Sequence, residues 1–129
     1  MGGHGALVCG LKNPGKFTSI SAFAPIANPS KCKWGINAFS KYFQSEKEWA
    51  AYDATELVKN IKSSKPILID QGSEDQFLKE AQLLPENFIA ASSHLNVKYS
   101  LKDGYDHSYY FISSFIESHF DFHMQYLDE

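Results

Sequence analysis

A short apolar run, Pro66-Ile67-Leu68-Ile69-Asp70, limits the possible folds more than any other segment of the sequence. A proline begins the run and Gly72 closely follows it, so it is too short for a typical helix. It is also too uniformly apolar for a strand that has one face in water, and it is typical of a strand buried on both faces of a parallel sheet. Because parallel strands need crossover connections, the run predicts neighbouring strands joined by helices that cover the sheet.

The rest of the chain alternates between segments of strand and helix character. Residues 17–23 and 97–101 alternate apolar and polar side chains, which predicts two further strands. Helices are predicted for the glycine-rich start at residues 1–11, where close backbone contact is expected, and for residues 37–43, 46–52, 53–59, 85–95 and 109–126. This order of elements predicts an α/β fold with a mostly parallel sheet.

Composition excludes several classes of protein. The net charge is -3 and no cluster of Lys and Arg stands out, which argues against a nucleic-acid partner. No apolar stretch is long enough to cross a membrane, and the start does not resemble a secretion signal. The two cysteines, Cys9 and Cys32, form no disulfide framework. We therefore expect a cytoplasmic protein without membrane or nucleic-acid partners.

Polar side chains follow two of the predicted strands. Residues 71–76 carry Glu74 and Asp75, and residues 102–108 carry Asp106 and His107. Functional groups of an open α/β sheet gather beyond the carboxyl ends of its strands. A carboxylate placed next to a histidine can orient the imidazole as a general base. The pattern alone leaves other readings open, since loop aspartates commonly cap helices and loop histidines commonly lie at the surface.

The start of the chain is similar to the second part of a nucleophile elbow. In the motif G-x-S-x-G, glycines surround a serine on a strained turn between a strand and a helix. In Met1-Gly2-Gly3-His4-Gly5-Ala6-Leu7, Met1 would be the residue after that serine and Gly2 the last glycine of the motif. The triad acid precedes the histidine in this fold, as Asp75 precedes His107.

Together these segments resemble the S-formylglutathione hydrolase family, also called esterase D, over the entire chain. The most specific match is Gly104-Tyr105-Asp106-His107-Ser108-Tyr109-Tyr110-Phe111. The other matching segments are residues 1–7, 21–26, 52–55, 67–72 and 83–88. The resemblance implies an α/β-hydrolase fold, with residues 1–129 as the C-terminal portion of a single domain.

The resemblance also implies a function. Members of the family are serine esterases and thioesterases that release formate and glutathione from S-formylglutathione in formaldehyde detoxification, and they also hydrolyse simple esters. They need no metal or organic cofactor. Asp75 would be the triad acid, His107 the general base, and the backbone N–H of Met1 one donor of the oxyanion hole. The family's serine would directly precede Met1, so this chain alone is expected to be inactive.

Other residues near these segments admit simpler roles. Asp70 is the rival acid, but it lies on the strand end itself, while Asp75 lies in the loop that matches the family. Glu74 is expected to be solvated, and Asp106 to hold the turn beside His107.

Four further histidines and two tryptophans are also candidates for functional roles. His119 and His123 have a spacing that can bind zinc, but they continue the apolar face of the last helix, so no metal site is predicted. His4 and His94 are expected to be structural. The side chains of Trp34 and Trp49 would either line the substrate pocket or pack in the core, and both cysteines are expected to be free thiols without a catalytic role.

If the chain is half of a domain, one edge of its sheet is expected to be exposed. The strand at 17–23 would lack the neighbour that an N-terminal half provides, and exposed edges invite pairing with another chain. The alternative function is therefore a non-catalytic product that pairs with or regulates a full-length hydrolase. The partner would be the missing half or, in a homo-oligomer, a second copy.

Overall fold

A three-stranded parallel sheet lies at the centre of the protein in the computed structural model, which describes residues 1–127. The strands are β1 (Ile20–Phe23), β2 (Ile67–Gly72) and β3 (Val97–Lys102), in the spatial order β1-β2-β3. Ile67 in β2 is paired with Ile20 in β1 and with Val97 in β3. All six residues of β2 are buried, as expected for a central strand between two neighbours. The predicted α/β fold is confirmed.

Six α-helices connect and cover the strands within the described residues. They are α1 (Gly2–Lys12), α2 (Lys33–Tyr42), α3 (Ala54–Lys59), α4 (Gln76–Lys79), α5 (Pro85–Ala91) and α6 (Tyr109–Met124), with 3-10 turns at Pro29–Lys31 and Glu46–Tyr52. An aspartate cap and a proline help to explain where two of these helices begin. Asp53 accepts hydrogen bonds from the backbone N–H groups of Thr55 and Glu56 at the start of α3, and Pro85 occupies the first turn of α5.

The glycines of α1 allow the close packing that the sequence predicts for them. A Cβ atom added at Gly10 would lie 2.5 Å from the Ile20 side chain, and one at Gly3 would lie 2.6 Å from the carbonyl oxygen of Phe23. Leu7 and Leu11 complete the buried face of this helix. The first turn of α1 is thereby held against the carboxyl end of β1.

Several element boundaries differ from the predictions. The first strand is limited to Ile20–Phe23, because only these residues pair with β2. The helix predicted over 85–95 ends at Ala91, and the unpredicted helix α4 begins at Gln76, the last residue of the polar segment 71–76. The short helix α4 forms because Asp75 accepts hydrogen bonds from the backbone N–H groups of Phe77 and Leu78.

The apolar face predicted for the last helix is only partly in contact with the core. Ile112, Ile116 and Phe120 are exposed, whereas Phe111 and His119 are the buried residues of α6. The helix therefore packs on the sheet with a neighbouring face. None of the described helices is long and apolar enough to cross a membrane.

Candidate active site

The loops that follow β2 and β3 lie against each other at the carboxyl end of the sheet. A Cβ atom at Gly72 would lie 2.3 Å from the carbonyl oxygen of Tyr105, so this approach requires a glycine. The backbone N–H of Ser73 donates to the carbonyl of Lys102 at 2.9 Å, and that of Glu74 donates to Tyr105 at 2.8 Å. These contacts set the distance between the two loops.

The two loops bring together Asp75 and His107, the residues predicted as acid and base. The distance between Asp75 Oδ2 and His107 Nδ1 is 2.7 Å. Asp75 is fully buried, and 39% of the His107 side chain is exposed. Because a carboxylate can only accept, Nδ1 carries the proton and the Nε2 of a neutral imidazole keeps its lone pair. A histidine in this state can accept a proton from a group that approaches Nε2.

The buried Asp75 carboxylate is fully provided with hydrogen-bond donors. Its Oδ1 accepts from the backbone N–H of Phe77 at 2.8 Å and from that of Leu78 at 3.3 Å. Its Oδ2 accepts from Gln71 Nε2 at 2.9 Å in addition to His107. These donors offset the cost of removing the carboxylate from water, and they hold it in one orientation.

A cleft of about 320 Å³ opens beside His107. Residues from the end of β1 and the start of α6 line it, namely Phe23, Ala24, His107, Ser108, Tyr109, Phe111 and Ile112. Ala24 has a left-handed backbone with φ of 42°, a strained conformation of the kind that clusters at functional sites.

Met1, the residue predicted as an oxyanion donor, immediately precedes α1 and is exposed. Gly3, in the first turn of α1, contacts the carbonyl oxygen of Phe23, which also lines the cleft. The start of α1 and His107 therefore both adjoin the end of β1.

Asp70, the rival acid, pairs with a different histidine. Its Oδ2 lies 3.2 Å from His119 Nε2, and its Oδ1 lies 3.9 Å from Lys102 Nζ. Both side chains of the Asp70–His119 pair are almost fully buried, and the imidazole stacks on Phe23 with 3.8 Å between ring centroids. The sequence does not predict this pair, because no local motif joins residues 49 positions apart.

Serine hydroxyls, rather than metal ligands, contact the two histidines of α6. Ser21 Oγ lies 2.9 Å from His119 Nδ1 and 2.8 Å from His123 Nε2, and Ser19 Oγ lies 2.7 Å from His123 Nδ1. With Asp70 accepting from His119, one consistent arrangement has Ser21 donating to His119, His123 donating to Ser21, and Ser19 donating to His123. Burial, followed by the neighbouring His119, lowers the pKa of His123. Within residues 1–127 no group of three or more His, Cys, Asp or Glu side chains could hold a metal ion.

The remaining histidines contact the backbone. His4 Nε2 accepts from the backbone N–H of Ala54 at 3.2 Å, and burial lowers the pKa of His4 to about 4. His94 lies beyond the end of α5, and its Nε2 is 2.7 Å from the carbonyl oxygen of Ile61. Both side chains therefore have structural contacts. His94 lies outside α5, although the helix predicted over 85–95 included it.

The aromatic and acidic candidates also have defined contacts. The ring of Trp34 lies 4.8 Å from that of Phe77, which in turn lies 4.9 Å from the His107 ring. Trp49 packs on Phe39 instead, at 5.8 Å. Glu74 is exposed and forms an ion pair with Lys79.

The chain matches a known protein family over most of its length. The family model described as "Putative esterase" matches residues 1–122. The chain is 58% identical to S-formylglutathione hydrolase of Mus musculus and 55% identical to that of Bos taurus, covering 99% of this chain and 47% of each relative. It thus spans about half the length of these relatives.

A solved structure gives the same result. An S-formylglutathione hydrolase from Agrobacterium tumefaciens superposes with a TM-score of 0.88 at 42% identity, covering 98% of this chain and 46% of that one. A second, from Staphylococcus aureus, has a TM-score of 0.66 at 20% identity and supports the fold alone. The resemblance inferred from the motifs is confirmed.

Proposed function

Because the chain belongs to the esterase family, we propose that it carries the acid and the base of a serine-hydrolase active site, in which Asp75 orients His107. The single observation that carries this proposal is the 2.7 Å contact between the buried Asp75 carboxylate and the partly exposed His107. A buried acid together with an accessible imidazole is the arrangement that general base catalysis requires.

In the proposed reaction His107 moves protons at its Nε2. It takes the proton of a serine hydroxyl as the serine attacks the carbonyl carbon of a thioester or ester. The Asp75 carboxylate stabilises the imidazolium that forms. His107 then donates a proton to the leaving group where one is needed, and finally activates the water that releases the acid product.

The proposal places two further groups at the start of the chain. The backbone N–H of Met1 would donate to the oxyanion of the tetrahedral intermediate, as the match to the elbow motif implies. The serine itself would come from sequence immediately before Met1, and the second oxyanion donor from a loop still further upstream. In support, the first turn of α1 lies against the end of β1, beside the cleft.

For the substrate we propose S-formylglutathione and simple esters, with formate and glutathione as the products of the former. Relatives 55–58% identical to the chain are S-formylglutathione hydrolases, which supports this choice. We further propose that residues 1–129 form the C-terminal portion of a single α/β-hydrolase domain that needs no metal or organic cofactor. A cytoplasmic location, suggested by the free thiols of Cys9 and Cys32, belongs to the same proposal.

Hydrolysis by the complete gene product that contains this chain tests the proposal. Sequence upstream of Met1 is determined first, and turnover of S-formylglutathione and of p-nitrophenyl acetate is then measured. His107→Ala should lower kcat by about a thousandfold or more, because loss of a triad histidine elsewhere costs up to roughly a millionfold.

The matched control is His94→Ala, which changes an exposed histidine outside the cleft and should leave kcat unchanged. An upstream sequence without a serine in the elbow position would contradict the proposal and favour a non-catalytic partner of a full-length hydrolase. Full activity in the His107→Ala variant would contradict it as well.

A further inference from the structure

We propose that Gln71 is a positioning residue for the Asp75–His107 pair, with its buried side-chain amide holding Asp75 Oδ2 toward the imidazole. The inference rests on the function proposed above, and it concerns a residue that would touch neither substrate nor reacting atoms. Gln71 lies in β2, next to Asp70 along the chain, and is fully buried.

The orientation of the amide follows from its neighbours. Gln71 Nε2 lies 2.9 Å from Asp75 Oδ2 and 3.2 Å from the carbonyl oxygen of Gly72. The two amide hydrogens thus meet two acceptors, which only the NH₂ group can satisfy. The Oε1 atom then points elsewhere and has no hydrogen-bond partner among residues 1–127.

The unpaired Oε1 indicates that this glutamine does more than fill space. A buried acceptor without a partner costs about 1–3 kcal/mol. Methionine or leucine would occupy a similar volume of the core at no such cost. The glutamine at this position is therefore explained by what its NH₂ group holds.

Asp75 needs a second point of attachment for its orientation. The two backbone N–H groups that cap α4 reach only Oδ1. Rotation about the last side-chain bond of an aspartate has broad energy wells, so a carboxylate fixed at one oxygen can still turn. The bond from Gln71 to Oδ2 defines the carboxylate plane and thereby the direction in which Oδ2 meets His107.

Three variants of the complete gene product test this role. Gln71→Met keeps the length of the side chain and removes the donor. Gln71→Glu keeps the shape but places a second carboxylate beside Asp75, which repels it when both are ionised and shares a proton with it in acid. Gln76→Met is the matched control, because Gln76 is exposed at the start of α4, next to Asp75 along the chain.

Two readouts separate positioning from folding. The first is the hydrogen-bonded Nδ1 proton of His107 in ¹H NMR, assigned by its loss in His107→Ala. The second is the division of any kinetic effect between kcat and KM. In Gln71→Met we expect faster exchange of the Nδ1 proton and a five- to tenfold lower kcat, with KM changed less than about twofold. In Gln71→Glu the loss of kcat, relative to the wild type at the same pH, should be larger at high pH, and kcat should be partly restored at low pH.

Wild-type exchange and kcat in Gln71→Met would overturn the proposal. If that variant fails to fold, the pH-dependent restoration in Gln71→Glu decides, and its absence would overturn the proposal. A gene product without esterase activity whose Nδ1 proton still depends on Gln71 would contradict the proposed function and support the positioning role. Normal esterase activity that does not change in the Gln71 variants would support the proposed function and contradict the positioning role.

Discussion

Residues 1–127 hold two aspartate–histidine pairs that differ mainly in burial. In the pair Asp75–His107 the carboxylate is fully buried and 39% of the imidazole side chain is exposed beside a cleft. In the pair Asp70–His119 both side chains are nearly inaccessible, at 2% and 4% exposure. The two acids lie five residues apart, one in the central strand and the other after its end.

The difference shows why an aspartate–histidine contact does not by itself identify an active site. His119 uses both ring nitrogens within the fold, one toward Asp70 and one toward Ser21. Among residues 1–127, His107 uses only Nδ1 for a hydrogen bond, which leaves Nε2 for chemistry. The buried His119 connects α6 to the sheet through both ring nitrogens, whereas the partly exposed His107 keeps one ring nitrogen accessible.

The largest effect should come from breaking the buried pair. His119→Leu leaves the Asp70 carboxylate without its imidazole partner, and we expect a loss of about 3–5 kcal/mol in the free energy of unfolding. His107→Leu should cost less than about 1 kcal/mol, since its imidazole is partly in water. Urea unfolding of both variants of the gene product checks this, and equal losses would abolish the distinction between the pairs.

Acid should lower the stability of the protein through a third histidine, His4, because burial favours its neutral form. The pKa of His4 is lowered to about 4 from an ordinary 6.5. The unfolded state therefore binds more protons between these values, so stability is intact above pH 6.5 and falls as the pH drops toward 4. The loss reaches at most roughly 3 kcal/mol, because one pKa unit corresponds to 1.36 kcal/mol.

The glutamine variant His4→Gln is the control for this effect. Its amide oxygen can accept from the backbone N–H of Ala54 without titrating, as His4 Nε2 does in its neutral form. Urea midpoints at pH 7.5 and pH 5 should therefore differ less in this variant than in the wild type. An unchanged pH dependence would mean that His4 is not its source.

A modest effect on stability should come from Asp75→Asn. The amide oxygen can still cap α4, so we expect a loss of about 1 kcal/mol. The amide NH₂, however, would face the donors of Gln71 and His107, and the imidazole would lose its orienting acceptor. Esterase turnover should then fall by about a thousandfold or more. Urea unfolding and kcat measured on the same sample separate the two effects.

The sequence predicts best those features of the fold that depend on a pattern within one short segment. The apolar run at 66–70 correctly predicts a buried central strand, and the glycines of residues 1–11 correctly predict close packing against a neighbour. Helix α4 was not predicted, because capping and a catalytic role are alternatives for a loop aspartate in the sequence, whereas Asp75 both caps α4 and contacts His107. Several apolar residues of α6 are exposed although they recur at helical spacing, since periodicity gives the spacing of apolar residues but not which of them contact the core.

Patterns within short segments are enough to predict the α/β class, the family, and Asp75 and His107 as candidates. The folded structure was needed to show which histidine each aspartate meets, how Gln71 and the α4 backbone surround Asp75, and which imidazole reaches the cleft. These features depend on contacts between residues 32 or 49 positions apart. Such contacts are set by the pairing of strands and the packing of helices, which no single segment encodes.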